Sequence, residues 1–345
     1  MVSDLSNREK EVLLYIVESF IKSALPIGSR SISKGTDLNL SSATIRNVMS
    51  DLEEMDLLKT PHTSAGRIPT DKAYRYYVDT LMNDQRLTEK ERKLIESQIF
   101  EQKHLLLENE DIYIETSRIL GKISHQLAII TKPLLDNAVF ERLDIVELSS
   151  TKILVVINIR SGYAKTVLIE LQTEVKKEKL EAVARFLNER LQGLTLKDIR
   201  ETFNERVEDY RYYEPELFKV LVNSKDEIYG SGETGTVYIS GTGEVINQPE
   251  FEDPRSFKNI VTLAEDKELV VEIFRDSSER NDGIIISIGE ENPGTKLQDY
   301  SIIRTTYNIN DMKGNIGIIG PKRMNYAKMV SLLNYTSDLI SRIKF

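Results

Sequence analysis

The amino-acid sequence predicts a multidomain α+β protein on the basis of three observations. Apolar residues recur at helical spacing from the start of the chain to about residue 55. Runs typical of strands, separated by turn residues, begin at Leu143 and stop before residue 176. A helical stretch follows, and strand-like runs return after residue 236. With 345 residues the chain is long enough for two or three domains, each with its own core.

The first two helices are predicted from their ends. Ser6 and Glu9 have the spacing of a capping box, and Pro26 ends the helix that follows. The buried stripe of this helix consists of Leu13, Ile16, Val17 and Phe20. A second, short helix is predicted to begin at Ser29, and Gly35 allows the turn after it.

A third helix is predicted after Ser41, whose side chain can accept a backbone N–H bond as the N-cap. One of its faces is apolar and consists of Ile45, Val48, Met49, Leu52 and Met55. The opposite face carries Ala43, Arg46, Asn47 and Ser50. Arginine can bond guanine bidentately, asparagine can bond adenine, and an alanine methyl can lie against thymine. The spacing therefore predicts a helix that can enter the major groove of DNA.

The segment after this helix has the composition of a two-stranded wing. Pro61, Gly66 and Pro69 punctuate it, and Gly66 is expected to give the backbone room for a tight turn. Arg67 can reach phosphate or an A·T-rich minor groove. Three helices and a wing make a winged helix-turn-helix, which we expect at residues 1–85. The predicted DNA contacts are Ser41, Ser42, Ala43, Thr44, Arg46, Asn47 and Ser50 in the helix and Lys59, His62, Thr63, Ser64 and Arg67 in the wing.

The alternative is a helical hairpin whose polar face is merely solvated, and charge does not decide between the two. Residues 28–75 carry seven basic and six acidic side chains, a net charge of +1, in a chain whose net charge is −9. Because phosphate neutralisation supplies most non-specific affinity for DNA, one copy would bind weakly. If the chain binds DNA, we therefore expect it to bind as a dimer through a local patch.

Four N-terminal segments closely resemble a known family, the bacterial heat-inducible transcription repressors called HrcA. They are residues 40–47, 51–54, 61–71 and 74–79. The resemblance extends more loosely over the whole chain in length and element order. One departure is Asp56, where the family commonly has glycine after the recognition helix.

The resemblance implies a function and partners. It implies a negative regulator of class I heat-shock (chaperone) operons that binds double-stranded DNA as a homodimer at an inverted-repeat operator, the CIRCE element. Release of the operator on heat shock and modulation by a chaperonin are implied as well.

The residues from 86 to 175 are expected to form linker helices and the first half of a sheet domain. Thr88 and Glu91 form a capping box for a helix to about Leu107. A second helix is expected to run from Asp111, through Leu127, to the stop at Lys132–Pro133. The predicted strands are Leu143–Leu148, Ile153–Arg160 and Ala164–Leu171, which form an antiparallel meander.

The second half of this sheet is expected at residues 236–345. Its strands are predicted at Gly283–Ile288, Tyr300–Tyr307 and Ile316–Ile319, followed by a helix at Lys322–Ile343. Residues 176–235, which are mostly helical, would interrupt it. This layout resembles the family's GAF-like antiparallel α/β domain with an inserted dimerisation domain. The apolar faces of the insert can bind a second copy or fold back on their own sheet, and Tyr210, Tyr212 and Tyr213 suit an interface or a loop anchor.

No residues can be nominated for catalysis. The stretch from Gly230 to Gly235 matches a dinucleotide-binding fingerprint in letters, but it follows a helix and precedes a strand, the reverse of what that site needs. The histidines His62, His104 and His125 stand far apart, and cysteine is absent. We therefore expect neither an enzyme nor a cofactor or metal.

A GAF-type small-molecule-sensing transcription regulator remains the alternative, by analogy of fold. The N-terminus lacks an apolar signal region, and no apolar run approaches the roughly twenty residues of a membrane span. The expected location is the cytoplasm.

Overall fold

The computed structural model of the protein describes residues 5–36, 40–61, 66–101, 111–160, 162–213, 215–230, 236–275, 283–309 and 312–343. These residues form a winged helix, a five-stranded sheet between helical layers, and a three-stranded sheet that packs against helices. No helix in the ranges just given is long and apolar enough to cross a membrane.

The winged helix has the three helices that the sequence predicts. Its elements are α1 (Asn7–Ser23), α2 (Ser29–Gly35), α3 (Ser42–Glu54), β1 (Leu58–Lys59), β2 (Ile68–Pro69) and α4 (Asp71–Tyr76). Ser6 and Glu9 form the capping box of α1, and Ser41 caps α3, as predicted. Strands β1 and β2 are antiparallel, and Ile27 forms a bridge to Arg67 beside them.

Helix α4 is the part of this domain that the sequence analysis did not predict. Thr70 caps it by accepting a hydrogen bond from the backbone N–H of Ala73. A π-helical turn, Tyr77–Leu81, extends it. The buried side chains of α4 then face the rest of the protein and not solvent.

Helix α3 ends in a Schellman motif at Asp56. The φ angle of Asp56 is 60°, which is left-handed. Its N–H donates to the carbonyl oxygen of Glu53 at 3.0 Å, and the N–H of Leu57 donates to that of Leu52 at 2.9 Å. Asp56, which stands where the family commonly has glycine, therefore has the left-handed backbone conformation that glycine adopts with the least strain.

Replacing Asp56 with glycine should raise the free energy of unfolding by about 0.5–1 kcal/mol, because glycine adopts the left-handed conformation without a Cβ penalty. Urea unfolding followed by circular dichroism measures the change. The matched control is Asp51→Gly inside α3, which should destabilise the helix instead. An Asp56→Gly variant less stable than the unaltered chain would show that Asp56 is not strained.

The remaining elements lie in two stretches. Those up to residue 230 are α5 (Glu89–Glu101), α6 (Asp111–Ser124), β3 (Leu127–Thr131), β4 (Phe140–Ser149), β5 (Lys152–Ile159), β6 (Ala164–Glu170), α7 (Lys177–Leu191), α8 (Leu196–Val207), α9 (Pro215–Asn223) and α10 (Lys225–Tyr229). Those that follow are β7 (Val237–Ser240), α11 (Thr242–Val245), α12 (Pro254–Glu265), α13 (Lys267–Arg275), β8 (Ile285–Ile288), β9 (Tyr300–Ile309), β10 (Met312–Pro321) and α14 (Tyr326–Ser341). Thr88 and Glu91 form the predicted capping box before α5.

The predicted helix from Asp111 to Lys132–Pro133 is wrong in its second part. Helix α6 ends at Ser124, the chain turns at His125 with a φ of 56°, and Leu127 begins strand β3. Every residue of β3 is buried, because the strand lies inside the sheet and both of its faces are covered. Such a strand is a continuous apolar run, which periodicity cannot distinguish from a buried helix.

The central sheet has the strand order β7-β3-β10-β9-β8, and each neighbouring pair is antiparallel. Helices α6 and α14 pack on one of its faces and α12 and α13 on the other. The sheet is therefore the middle layer of a three-layer domain.

The expectation that the meander begins this central sheet is wrong. Among the described strands, β4, β5 and β6 pair with one another and form a separate sheet. The inner face of that sheet packs against α7, α8, α9 and α10, so the helices of the predicted insert fold back on the meander. The chain between β3 and β7 therefore contains one unit, which consists of the meander and these helices. The domain boundary expected at residue 176 falls inside that unit.

The winged helix packs on the central sheet domain through α4. The buried rings of Tyr74 in α4 and Tyr326 in α14 have centroids 5.9 Å apart. Two ion pairs lie around these rings, Arg75–Glu291 with 2.8 Å between Nε and Oε1 and Lys322–Asp71 with 2.7 Å between Nζ and Oδ1. This junction fixes the position of α3 relative to the sheet.

Candidate nucleic-acid interface

The recognition helix α3 is anchored by its first turn and by its apolar face. Ser41 Oγ accepts a hydrogen bond from the backbone N–H of Thr44 at 3.1 Å, and the two hydroxyl groups lie 2.9 Å apart. The face that turns inward is buried and consists of Ile45, Val48, Met49 and Leu52. Because helical periodicity places these residues on one side, the other side is left for solvent.

The outward face of α3 carries the polar groups that the sequence predicts there. Ala43, Arg46, Asn47 and Ser50 are exposed. Arg46 and Asn47 therefore present a guanidinium and an amide, the two side-chain groups that bond guanine and adenine edges bidentately. Their role in binding DNA stays a prediction.

Two of the predicted contact residues in α3 are held by other side chains. Ser42 is half-buried, and its Oγ lies 2.9 Å from Oγ of Ser29 in α2. Thr44, also half-buried, bonds Ser41 as described above. These hydroxyl groups fix how α2 meets α3, and a hydroxyl can still offer a lone pair to DNA.

The wing places its basic residues beside α3. Lys59 in β1 is exposed. The predicted contacts His62, Thr63 and Ser64 lie outside the described residues. Gly66 lets the wing approach Pro26 closely and does not adopt a left-handed conformation. A Cβ at position 66 would come within 2.8 Å of the carbonyl carbon and of the Cβ of Pro26.

Arg67 stands at the base of the wing and points towards the end of α3. Its backbone exchanges two hydrogen bonds of 2.9 Å with Ile27. Its Nε donates to Oε2 of Glu53 at 2.8 Å, while the hydroxyl of Thr60 donates to Oε1 of the same carboxylate at 2.6 Å. The bond from Thr60, with the charge of Arg67, holds the pKa of the Glu53 carboxyl below its usual value. No local pattern of the sequence identifies Glu53, because its contact with Arg67 joins residues 14 positions apart.

The acidic end of α3 is separated from its N-terminal contact face. Asp51, Glu54 and Asp56 are exposed in or just after the last turns of the helix. Lys72 of α4 donates to the carbonyl oxygen of Met55 at 2.7 Å, so a cation lies at the C-terminal end of the helix dipole. Because Asp51, Glu54 and Asp56 are acidic and the helix dipole is positive at its N-terminal end, an anionic backbone is accommodated better near Ser41 than near Asp56.

Two family models cover most of the chain. The one described as winged helix-turn-helix transcription repressor, HrcA DNA-binding, matches residues 4–82, and the one described as HrcA protein C terminal domain matches residues 110–330. Together they include the recognition helix, the wing and the central sheet domain.

Curated relatives match over nearly their full length. The heat-inducible transcription repressor HrcA of Chlorobaculum tepidum is 44% identical over 349 residues, covering 98% of this chain and 97% of its own. The protein of the same name from Chlorobium phaeobacteroides (strain BS1) is 40% identical over 348 residues, covering 99% of both.

The fold is shared with a solved structure. The crystal structure of a hypothetical protein superposes with a TM-score of 0.60 at 21% identity, covering 98% of this chain and 99% of its own. At that identity the likeness concerns the fold alone, while the identity to the curated relatives is high enough to establish the family. The chain belongs to the family of heat-inducible transcription repressors HrcA.

Proposed function

We propose that this protein is a heat-inducible transcription repressor that binds an inverted-repeat operator as a homodimer. The observation that carries the proposal is the outward face of α3, where Ala43, Arg46, Asn47 and Ser50 are exposed beside the wing. Family membership supports the same function, since the curated relatives carry that name. The comparisons do not favour the alternative of a GAF-type small-molecule sensor.

The DNA contacts divide into two kinds. Arg46 and Asn47, together with the methyl group of Ala43, would meet base edges in the major groove, and Ser41, Ser42, Thr44 and Ser50 would border them. Lys59, His62, Thr63, Ser64 and Arg67 would hold the flanking backbone or the minor groove. The first kind selects the sequence. Among the second kind, contacts to phosphate supply affinity for any duplex, whereas Arg67 in an A·T-rich minor groove would also add sequence preference through the width of the groove.

A homodimer is proposed because one winged helix is a weak electrostatic binder. The near-balance of charge in residues 28–75 gives a single copy little attraction to phosphate. Two symmetric copies double the contacts, and their two-fold axis matches an inverted repeat.

The surface proposed for the second copy is the outer face of the meander, defined by Val146, Leu148, Leu154 and Leu168. Val146 lies opposite Leu154, and Leu154 lies opposite Leu168, so the three form one stripe across β4, β5 and β6. Val146, Leu148 and Leu168 are 45%, 55% and 50% exposed. A cluster of apolar side chains that are exposed to solvent indicates a protein interface. We propose a second copy as the occupant, because a two-fold axis through the stripe would place the same apolar side chains of both copies against one another.

The remaining assignments concern regulation. The three-layer arrangement around the central sheet supports a GAF-like domain, which would hold the winged helices in place. We further propose a chaperonin as modulator, as the resemblance to the family implies, and a cytoplasmic location.

A gel-shift titration tests the proposed function. The purified protein should bind a duplex with an inverted repeat from upstream of a chaperone operon, with two copies per duplex. A scrambled duplex of equal composition is the control. Equal affinity for both duplexes would reject the proposal of a sequence-specific repressor.

Replacing Lys59 with alanine should weaken binding to operator and scrambled DNA by similar factors and lower the salt slope by about 1, because Lys59 is assigned to phosphate. Titrations at several salt concentrations measure this. Lys90→Ala on the exposed side of α5 is a matched control that should leave the slope unchanged. Loss confined to the operator would place Lys59 at a base instead.

A further inference from the structure

One carboxylate ties both strands of the wing to the recognition helix. Thr60 directly follows β1, Arg67 directly precedes β2, and Glu53 lies in the last turn of α3. The two oxygens of Glu53 are divided between the two strands, with Oε1 accepting from Thr60 at 2.6 Å and Oε2 from Arg67 at 2.8 Å. The orientation of the wing relative to α3 therefore depends on this side chain.

The pair is sheltered, which favours a persistent interaction. The side chains of Arg67 and Glu53 are 21% and 33% exposed. Glutamate is ionised at neutral pH, and the bond from Thr60 together with the charge of Arg67 lowers the pKa of Glu53 further. A charged hydrogen bond that is partly shielded from solvent is stronger than a fully exposed ion pair.

The ion pair engages the Nε side of the Arg67 guanidinium. Among the described residues, Glu53 bonds only the Nε of Arg67, so the Nη1 and Nη2 groups carry donors that face no described partner. The backbone of Arg67 is fixed by Ile27 at the same time. Arg67 is thus held at its Nε and at its backbone, and a side chain fixed in advance loses less entropy on entering the minor groove of DNA.

A carboxylate beside a DNA-binding surface also repels phosphate. If Glu53 served only as a surface charge, removing it would strengthen binding to every duplex. If Glu53 positions Arg67, removing it would weaken operator binding while non-specific binding stays equal or rises. The ratio of operator to random-DNA affinity would therefore fall if Glu53 positions Arg67 and stay unchanged if Glu53 is only a surface charge.

We propose that Glu53 is a positioning residue that sets Arg67 and the wing against α3 and so raises the specificity for the operator. This inference rests on the proposed function, because it assigns Arg67 to DNA. Glu53 itself would not touch DNA and would affect specificity only through Arg67.

The decisive comparison is between Glu53→Gln and Glu54→Gln. Both remove one negative charge at neighbouring positions of α3, but Glu54 is exposed and makes no hydrogen bond or ion pair with any residue that the structure describes. Glutamine at position 53 keeps an oxygen for Thr60 and loses the charged bond to Arg67. We expect Glu53→Gln to lower the ratio of operator to random-DNA affinity about tenfold, and Glu54→Gln to leave the ratio unchanged.

A second measurement separates positioning from general stability. In an Arg67→Ala background, Glu53→Gln should no longer change the ratio, since the residue through which it acts is absent. The melting temperatures of the Glu53→Gln and Arg67→Ala proteins should stay within a few degrees of that of the unaltered protein, because neither side chain belongs to the hydrophobic core. An undiminished effect of Glu53→Gln in the Arg67→Ala background would overturn the proposal.

The outcomes distinguish this inference from the function on which it rests. If the unaltered protein binds operator and random DNA equally, the proposed function is overturned and this inference with it. If the unaltered protein discriminates but Glu53→Gln and Glu54→Gln change the ratio alike, only the positioning role is overturned.

Discussion

Replacing Asn47 with alanine should lower the affinity for the operator by about 5- to 150-fold, which corresponds to about 1–3 kcal/mol. The amide lies exposed on the outward face of α3, where it can make two hydrogen bonds to an adenine edge. Truncation removes those bonds and leaves the buried face of the helix intact. Titration of operator duplexes, with each base pair of one half-site substituted in turn, measures the loss and locates the contact.

The loss of affinity caused by Asn47→Ala should also depend on the DNA sequence. Asn47→Ala should flatten the preference at one base pair in each half-site and change binding to random DNA little, because the lost bonds are sequence-specific. Lys59→Ala is the comparison, since it should act on all duplexes alike. Equal losses on operator and random DNA for Asn47→Ala would remove Asn47 from the base contacts.

Replacing Leu154 with glutamate should convert the protein to a monomer and weaken operator binding by about 100- to 10,000-fold. Leu154 lies in the central strand of the meander, between Val146 and Leu168, so the new carboxylate would enter the middle of the proposed interface. In a monomer, binding at one half-site would no longer raise the effective concentration of protein at the other half-site. Sedimentation equilibrium gives the mass, and a titration on the inverted repeat gives the affinity.

A matched control distinguishes a lost interface from damage to the fold. Phe257→Glu places the same charge on another exposed apolar residue, on α12 away from the meander, and should leave a dimer with full affinity. Because the side chain of Leu154 is only half-buried in one copy, folding should tolerate the charge there as well. A Leu154→Glu protein that remains a dimer would exclude the outer face of the meander as the interface.

The elements that the sequence predicts well are those with signals inside one or two turns. Ser6, Ser41 and Thr88 each begin a helix within a residue of the expected start, because capping depends on neighbours three positions away. The exposed set on α3 follows from the same local periodicity. For strand β3 the sequence wrongly predicts a helix, since burial on both faces removes the alternation that identifies a strand.

The contacts that the sequence could not supply join distant residues. Strand β3 pairs with β10 through Ile130 and Ile316, and no local feature of either marks the other. Because no local feature of a strand marks its partner, the sequence also wrongly predicts the meander as part of the central sheet. At the candidate site, the contact of Gly66 with Pro26 and the bond of Arg67 to Glu53 are equally non-local. Sequence periodicity therefore predicts which face of α3 is exposed, while the orientation of the wing depends on tertiary contacts.

Footprinting of the purified protein upstream of the chaperone operons of its own organism, across a temperature ramp, tests the central claim most directly. The account predicts protection of two symmetric half-sites of an inverted repeat at low temperature, interference when the major-groove bases facing Arg46 and Asn47 are modified, and loss of protection on heating. Protection without symmetry, or none at any temperature while the protein remains folded, would contradict it.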